Sequence, residues 1–328
     1  MTFIVMEPVE YILALELNHA TEVGAIGAAR AAGFGDKKRA DNEAVKAMRA
    51  SLNQVDFKGR VVIGEGERDE APMLYIGEEL GTGKGLAIDI AVDPLENTNA
   101  TAGLGPRAIS VLAASEKGGL FHAPDMYMEK LIVDPRAAGK VHLDAAPKDN
   151  LKAIAKSLDR DIKDLVVMML DRLRNEEQVA KVREAGARVQ LVLDGDLMPG
   201  IAACMRGTGV HAVMGIGAAP EGVITAAGIR CLKGEMQARF WPQNKDEEKR
   251  LVKMGGKLGK IYNHNELASG KTIMFCATGV TSGEALRGVK FFGGGCRTHS
   301  LVMSIQTEKV RFIDTTHVFD KDQIDYRL

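Results

Sequence analysis

LVVMMLDRLRNEEQVAKVREAGARVQLVL, residues 165–193, carries the pattern that decides the fold class. An apolar run at 165–170 is followed by a charged segment whose periodicity predicts a helix over residues 175–185. Gly186 is placed to end that helix, and a second apolar run begins at Val189. A strand, a helix and a strand in this order predict a βαβ unit.

Outward from this unit, short apolar runs rich in β-branched residues alternate with helical patterns. They predict further strands at residues 60–63, 87–92, 211–216 and 272–277. The alternation is typical of an α/β protein, so we expect layered helices and sheets in two sheet-containing halves. A polar stretch before Asn150 predicts an N-terminal domain over residues 1–150 and a C-terminal domain over residues 151–328. The last strands are free to return to the first domain.

Composition argues against several classes of function. The chain has 328 residues and a formal net charge of -1, which gives no reason to expect nucleic acid or a membrane surface as a partner. Its four cysteines form no CxxC pair, which favours reduced thiols and a cytoplasmic location. No run reaches the roughly 20 apolar residues of a membrane span. The N-terminal segment contains several glutamates and is expected to be the first helix rather than a secretory signal.

Acidic residues follow several predicted strands at the point where the apolar run stops. Ligands of open α/β sheets bind at the carboxyl ends of the strands, so we expect these side chains to lie close together. Carboxylate oxygens are the ligands that hard divalent cations prefer. The acids concerned are Asp36, Glu65, Glu67, Asp93, Glu96, Asp171, Asp194, Asp196 and Glu221.

The sharpest instance is DPLENT at residues 93–98. Pro94 is expected to stop the strand, and one turn then presents two carboxylates, Asp93 and Glu96, and the Thr98 hydroxyl to the same metal ions. An isolated acid at a strand end is more often a helix cap or a turn former. The combination of three oxygen donors favours a metal site here.

Two arginines, Arg172 and Arg174, flank Leu173 directly after a predicted strand. In extended geometry alternate residues point the same way, so both guanidinium groups are expected to reach one phosphate. The alternative is surface pairing with Glu176 or Glu177.

Other motifs are incomplete. SGKT at residues 269–272 resembles the end of a P-loop, but Asn265 stands where the first glycine is required. The GxG segments at 33–35 and 64–66 lack the third glycine of a dinucleotide site. The seven histidines form no HExxH motif, which disfavours a zinc hydrolase.

Residues 93–98 resemble the metal-binding signature of the lithium-sensitive phosphatase superfamily, which includes inositol monophosphatases and fructose-1,6-bisphosphatases. Further segments, in the same order along nearly the whole chain, are similar to class II, bacterial-type fructose-1,6-bisphosphatases. They are GDK at 35–37, VIGEGE at 62–67, APMLYIGE at 71–78, APDMYM at 123–128, DGD at 194–196, GIGAAPEGV at 215–223 and RTHS at 297–300. The resemblance implies a layered α/β/α sugar-phosphatase fold, a homodimer or homotetramer, and a gluconeogenic or carbon-fixing role.

The resemblance also implies roles for individual residues. The implied ligands of Mn²⁺ or Mg²⁺ are Asp36, Glu65, Asp93, Glu96 and Glu221. The implied substrate contacts are Glu96, Asn97, Thr98, Tyr127, Arg172, Leu173, Arg174, Asp194, Gly195, Asp196 and Ala218. For catalysis, the hypothesis is that Thr98 orients a water molecule or donates to a phosphoryl oxygen, and that Asp93 or Glu67 assists deprotonation of the water.

The chain departs from the family pattern at three places. The region around Gly81 to Gly85 is shorter than in the cyanobacterial relatives that also accept sedoheptulose bisphosphate. Asn97 stands where the family usually has glycine, and because Asn tolerates a left-handed backbone we expect the turn to survive. Leu173 and Asn175 replace a proline and a histidine in the arginine segment.

The expected function is removal of the 1-phosphate of D-fructose 1,6-bisphosphate by a metal-activated water, which yields fructose 6-phosphate and inorganic phosphate. The alternatives are a sedoheptulose-1,7-bisphosphatase, an inositol-phosphate phosphatase and a non-catalytic sugar-phosphate sensor. A substrate with one phosphate leaves the two arginines without a role, and metal-dependent phosphate release separates an enzyme from a sensor.

Overall fold

The structure, a computed structural model, describes residues 8–66 and 72–319. The α-helices within these residues are α1 (Pro8–Arg30), α2 (Lys37–Leu52), α3 (Thr98–Ala102), α4 (Pro147–Leu158), α5 (Glu176–Glu184), α6 (Leu197–Ala203), α7 (Ala219–Leu232), α8 (Lys245–Lys253) and α9 (His264–Leu267). The strands are β1 (Phe57–Ile63), β2 (Glu79–Leu80), β3 (Leu86–Glu96), β4 (Ile109–Glu116), β5 (Tyr127–Val133), β6 (Val166–Leu170), β7 (Arg188–Val192), β8 (Ala212–Ala218), β9 (Glu235–Trp241), β10 (Ile261–Asn263), β11 (Met274–Gly279), β12 (Lys290–Phe292), β13 (Gly295–Ser304) and β14 (Lys309–Val318).

The strands form two sheets. In the described residues the first has eight strands in the order β12-β13-β11-β4-β3-β1-β2, with β14 paired to β13, and the second has six in the order β10-β9-β5-β8-β6-β7. Parallel pairing joins β1 to β3 in the first sheet and β6 to both β7 and β8 in the second. Parallel strands bring their carboxyl ends to one edge, so each sheet has an edge where acidic residues can gather.

The predicted βαβ unit is confirmed. Strand β6, helix α5 and strand β7 follow one another, and Val166 pairs with Arg188 in a parallel ladder. Gly186, just beyond α5, has φ +95°, a left-handed conformation that glycine adopts without steric cost.

Layering places the main core between the two sheets. Helices α6 and α7 fill the space between them, where Val111 of the first sheet, Ile132 of the second and Val223 of α7 belong to one buried cluster. Helices α1 and α2 cover the outer face of the first sheet, and α4 and α5 cover the outer face of the second. The expected layered α/β architecture is confirmed, with a shared middle layer of helices.

Within the described residues the chain changes sheets twice. It passes to the second sheet between β4 and β5 and returns to the first between β10 and β11, so β11 to β14 complete the first sheet. Strand β5 lies before Asn150 yet pairs with β8 and β9. The boundary near Asn150 therefore does not coincide with a change of sheet, and the division into two domains there stays a prediction. No helix within residues 8–66 and 72–319 is long and apolar enough to cross a membrane.

Candidate active site

Acidic residues gather where β1 and β3 end. Strand β1 ends at Ile63, two residues before Glu65, and β3 contains both Asp93 and Glu96 at its carboxyl end. Because β1 and β3 are parallel, these acids lie at the same edge of the sheet. The expectation that Pro94 stops the strand is wrong, because β3 continues through Pro94 to Glu96. The ladder between β3 and β4 instead shifts register between Asp93 and Glu96, a local irregularity within the strand.

A cavity of about 340 Å³ lies at this edge. The charged side chains in its wall are Asp41, Glu65, Asp93, Asp125, Glu221 and Arg250. Ala218, the last residue of β8, and Pro220, in the first turn of α7, also line it. The cavity is therefore next to a helix N-terminus, where unpaired amides and the helix dipole favour an anion.

The pKa values of several carboxylates in or beside the cavity are raised. Burial, with additional repulsion from Asp93 and Asp41, raises the pKa of Glu65 to about 8. Burial and the charge of Asp41 raise the pKa of Asp93 to about 7. The pKa values of Glu96 and Glu221 are also raised, first by burial and then by neighbouring carboxylates. Such a cluster either retains protons or requires a cation to balance its charge.

Glu96 joins the first sheet to the loop after β7. Its Oε1 accepts a hydrogen bond from the Leu197 amide at 3.0 Å. Gly195, with φ +76°, approaches so closely that an added Cβ would lie 3.2 Å from the Glu96 carboxyl carbon. The other carboxylate oxygen, Oε2, is buried and has no hydrogen-bond partner in the described part of the chain. An orphaned buried carboxylate oxygen is a position that a cation fits.

Lys130 and Asp196 form a buried ion pair beside this cluster. The Lys130 Nζ donates to both carboxylate oxygens of Asp196 at 2.7 and 2.8 Å. An added Cβ on Gly217 would lie 2.1 Å from Asp196 Oδ2, so only glycine leaves room for the carboxylate there. Lys130 was not predicted from the sequence, where no strand was expected over residues 127–133.

The two arginines predicted to hold phosphate have separate sets of partners. Arg172 forms an ion pair with Asp194, which also accepts a hydrogen bond from Asn99. Arg174 lies over the Tyr127 ring, 4.1 Å from its centroid, and donates to the Ile216 carbonyl oxygen at 3.0 Å.

The extended geometry expected around the arginines is wrong. Leu173–Asn175 is a 3-10 helix, so the two guanidinium groups contact different partners. Leu173 points away from the core, with 85% of its surface exposed. Neither arginine is paired with Glu176 or Glu177; Glu177 instead pairs with Lys181.

The turn at Asn97 survives as expected. Asn97 has φ +70° and ψ +53°, a left-handed conformation, and caps α3 by accepting a hydrogen bond from the Ala100 amide at 3.2 Å. Thr98 begins α3 directly after it and is partly buried.

Among the predicted metal ligands and catalytic residues that the structure describes, Asp36, Glu96 and Thr98 do not line the cavity. Asp36 is exposed and caps α2, where its side chain accepts a hydrogen bond from the Arg39 amide at 2.9 Å. Asp41, on the same helix, lines the cavity instead and was not predicted because it follows no strand. Glu67 lies outside the described residues. The metal role of Asp36 and the catalytic role of Glu67 stay predictions.

The P-loop-like segment is bound to a carboxylate. Glu116 accepts hydrogen bonds from the amides of Lys271 and Thr272 at 2.6 and 2.9 Å, and from the Ser115 hydroxyl at 2.8 Å. Although burial opposes ionisation, these hydrogen bonds lower the pKa of Glu116 to about 2. The amides that would hold a phosphate in a P-loop thus already hold an anion of the protein itself.

Comparison with known proteins decides the family. The family model described as bacterial fructose-1,6-bisphosphatase, glpX-encoded, matches residues 11–317. The chain belongs to this family. It is a phosphatase by that membership, and phosphatases of this kind are metal-dependent.

Curated relatives agree over most of their length. A protein of Synechococcus sp. (strain JA-2-3B'a(2-13)), named D-fructose 1,6-bisphosphatase class 2/sedoheptulose 1,7-bisphosphatase, is 50% identical over 95% of this chain and 97% of the relative. Proteins with the same name from Synechococcus elongatus and Thermosynechococcus vestitus are 48% and 47% identical, over 95% and 94% of this chain and 97% of each relative.

The donor set of the cavity fits a divalent metal of the hard type. The donors that line it are carboxylates, and Glu96, next to Leu95 of the cavity wall, has a buried oxygen without a partner in the described residues. Burial and then repulsion from neighbouring carboxylates raise the pKa values of Glu65 and Glu96. In residues 8–66 and 72–319 no three His, Cys, Asp or Glu side chains already converge as a formed ligand set. The acids therefore line one cavity, but no three of the described side chains are yet arranged around a single ion position.

Proposed function

We propose that the protein hydrolyses the 1-phosphate of D-fructose 1,6-bisphosphate, which yields fructose 6-phosphate and inorganic phosphate. One observation carries the proposal: in a chain of this phosphatase family, Glu65, Asp93 and Glu221 face one cavity at the N-terminus of α7. Carboxylates suit the metal and the helix end suits the phosphate.

The proposed metal ligands are Asp36, Glu65, Asp93, Glu96 and Glu221, with Mn²⁺ or Mg²⁺ as the ion. A bound divalent cation polarises a phosphoryl group and lowers the pKa of a water molecule.

The chain's own groups would orient the reactants. The N-terminus of α7 stabilises negative charge on the phosphoryl oxygens. Thr98, at the start of α3, orients the attacking water, and Asp93 or Glu67 accepts its proton. The Asp194 to Asp196 loop is held against Glu96 and thereby fixes the side of the cavity where the sugar would bind.

The second phosphate is assigned to the arginine segment. Arg172 and Arg174 remain the proposed clamp, with Tyr127 under the Arg174 guanidinium to hold it in place. Because the two arginines contact different partners, Arg172 must exchange Asp194 for phosphate, whereas Arg174 keeps its stacking.

The same site accommodates a second candidate substrate, sedoheptulose 1,7-bisphosphate. The curated relatives carry both activities in their names. Both substrates have phosphates at the two ends of a sugar, so the proposed clamp serves either of them. An inositol monophosphate has no second phosphate for it. The oligomeric state, a dimer or a tetramer, stays a prediction.

The test is release of inorganic phosphate by the purified protein with Mn²⁺, with Mg²⁺ and with chelator. The substrates are fructose 1,6-bisphosphate, sedoheptulose 1,7-bisphosphate and inositol 1-phosphate. We expect metal-dependent turnover of the bisphosphates and little of the monophosphate. No turnover of any ester, despite metal binding, would leave the non-catalytic sensor as the better function.

An Asp93→Asn variant tests the proposed role of Asp93 in the reaction. We expect it to lose at least 100-fold in kcat/KM, because removing a proposed metal ligand and proton acceptor costs about 3 kcal/mol of transition-state stabilisation or more. Asp149→Asn is the matched control, since Asp149 is an exposed residue of α4. Full turnover by Asp93→Asn at saturating metal would reject the assignment.

A further inference from the structure

A second cavity, of about 510 Å³, lies at the opposite end of the second sheet. We call it the arginine cleft; its charged wall is formed by Arg136, Arg160, Arg188 and Arg206, with Asp134 and His211. Arg188 begins β7 and His211 directly precedes β8, so the cleft is at the amino ends of the strands whose carboxyl ends face the active site.

Positive charge in the arginine cleft is only partly balanced by the protein. Arg136 is paired with Asp134 through hydrogen bonds of 2.8 and 3.0 Å, and Arg188 donates to the Asp164 carbonyl oxygen. Within residues 8–66 and 72–319, Arg160 and Arg206 have no acidic side chain at salt-bridge distance. Four guanidinium groups thus share the wall with one carboxylate, an excess of three positive charges that a bound anion would balance.

The positive charges of the arginine cleft also act on His211. Its Nδ1 accepts a hydrogen bond from the Val166 amide at 2.9 Å. Burial, followed by the charges of Arg160 and Arg188, lowers the pKa of His211. The ring is therefore neutral at pH 7 and adds a polar group rather than a further charge.

The rest of the arginine cleft suits a phosphate group on an apolar body. Its floor is apolar, formed by Leu158, Ala203 and Val210, which are buried. Gly207 and Gly209, with φ +86° and +79°, shape one rim, and their amides donate to no group in the described residues. Guanidinium forks and free amides bind phosphate oxygens, whereas a floor of methyl groups binds an apolar body.

Helix α6 connects this cleft to the active site. Leu197, at its first turn, donates to Glu96, and Asp196 directly before it holds Lys130. At its other end, Ala203 lines the arginine cleft and Arg206 follows three residues later. The seven residues of α6 span about 10 Å. A shift of its C-terminal end is therefore felt by a loop that supports the active-site carboxylates.

We propose that the arginine cleft binds a phosphorylated small molecule with an apolar body, and that this binding alters turnover through α6. The site is separate from the substrate cavity, because the strands β6 to β8 lie between the two. A five-residue strand alone spans about 17 Å.

Phenylphosphonate is the probe, since its C–P bond resists hydrolysis and it combines a dianion with an apolar ring. Binding to the full-length, metal-loaded protein is measured by titration calorimetry for the wild type and for Arg160→Gln/Arg206→Gln. The matched control, Arg183→Gln/Lys253→Gln, removes the same charge from exposed positions on α5 and α8. Arg160→Lys/Arg206→Lys keeps the charge, and thermal melts check that each variant is folded.

We expect the glutamine pair in the cleft to lose one bound phenylphosphonate per chain, whereas the control and the lysine variant retain it. Equal stoichiometry in the wild type and the glutamine pair would overturn the site. At saturating substrate, we expect phenylphosphonate to change kcat at least twofold in the wild type and not in the glutamine pair. An unchanged wild-type kcat would overturn the coupling. The calorimetry requires no turnover, so failure of the proposed function leaves the binding result intact.

Discussion

Lys130 donates hydrogen bonds to both carboxylate oxygens of Asp196, and both side chains are withdrawn from solvent. This pair lies between the second sheet and the middle helix layer, beside Glu221. Burial and then the charge of Asp196 raise the pKa of Glu221, and Lys130 partly offsets this increase. A buried ammonium is tolerated only when it is paired. Lys130 therefore fixes the position of Asp196 and balances part of the charge of the carboxylate cluster.

A Lys130→Met substitution is expected to destabilise the protein by about 3–5 kcal/mol, because it leaves the Asp196 carboxylate buried without a partner. Urea unfolding measures the loss. Lys152→Met, at an exposed position of α4, is the control and should change stability by less than about 0.5 kcal/mol. The double variant Lys130→Met/Asp196→Leu should recover most of the stability without recovering activity. A single Lys130→Met variant as stable as the wild type would show that the pair contributes nothing to the fold.

Stability should depend on pH through the active-site carboxylates. The folded-state pKa of Glu65 is about 8 and that of Asp93 about 7, both well above the ordinary values of 4.5 and 3.8. The folded state therefore binds more protons than the unfolded state between about pH 4 and 8, and the metal-free protein loses this stabilisation as the pH rises through that window.

Thermal melts of metal-free protein at pH 5.5 and 8 measure this effect. Histidines with lowered pKa values, such as His211 and His264, act in the opposite direction below about pH 6.5, so the wild type is compared with Glu65→Gln. Relative to the variant, the wild type should lose stability at the higher pH. Added Mn²⁺ should raise the melting temperature more at pH 8 than at pH 5.5, because ligands must be deprotonated. Parallel pH profiles of wild type and variant would contradict the raised pKa of Glu65.

Elements with a clear period were predictable from the sequence, and contacts between distant elements were not. The apolar runs before Asp93 and Asp171 predicted strands β3 and β6, because a buried strand needs continuous apolar residues. Nothing local shows that the chain enters the second sheet at β5. Lys130 was therefore missed, since its partner lies 66 residues away and a lysine is normally expected at the surface.

In the candidate site too, residues placed by local sequence were predictable and residues placed by packing between distant elements were not. Glu65, Asp93 and Glu221 were predictable because strand-end position depends on local sequence. Asp41 was not, since a helical residue reaches the cavity only through the packing of α2 on the first sheet. The geometry of Arg172 and Arg174 was predicted wrongly because a 3-10 turn and an extended segment of three residues have no distinguishing period.

Asn97 provides a test of the turn that separates Glu96 from Thr98. Asn97→Gly should change the free energy of unfolding by only a few tenths of a kcal/mol, since glycine takes φ +70° freely and replaces a capping residue at little cost. Asn97→Ala should cost about 2 kcal/mol, because it loses the cap to Ala100 and places a Cβ in the left-handed region. Urea unfolding of both variants measures the difference. Equal stability of the two would mean that the left-handed conformation is not maintained in solution.

Asp36 allows a ligand to be distinguished from a helix cap with one substitution. Its side chain caps α2 through the Arg39 amide, and Asn caps a helix about as well as Asp. Asp36→Asn should therefore leave the melting temperature of the metal-free protein unchanged while it removes the charge that a metal requires. If Asp36 is a ligand as proposed, the Mn²⁺ concentration for half-maximal activation should rise at least tenfold, as measured by phosphate release over a metal titration.

Asp41→Asn belongs in the same titration as the comparison. Asp41 lines the cavity, and its charge helps to raise the pKa values of Glu65 and Asp93. Its removal should stabilise the metal-free protein above about pH 7, because less repulsion remains among the carboxylates. If the Mn²⁺ activation curve of Asp36→Asn matches the wild type and that of Asp41→Asn is shifted, then Asp41, and not Asp36, is the metal ligand on α2.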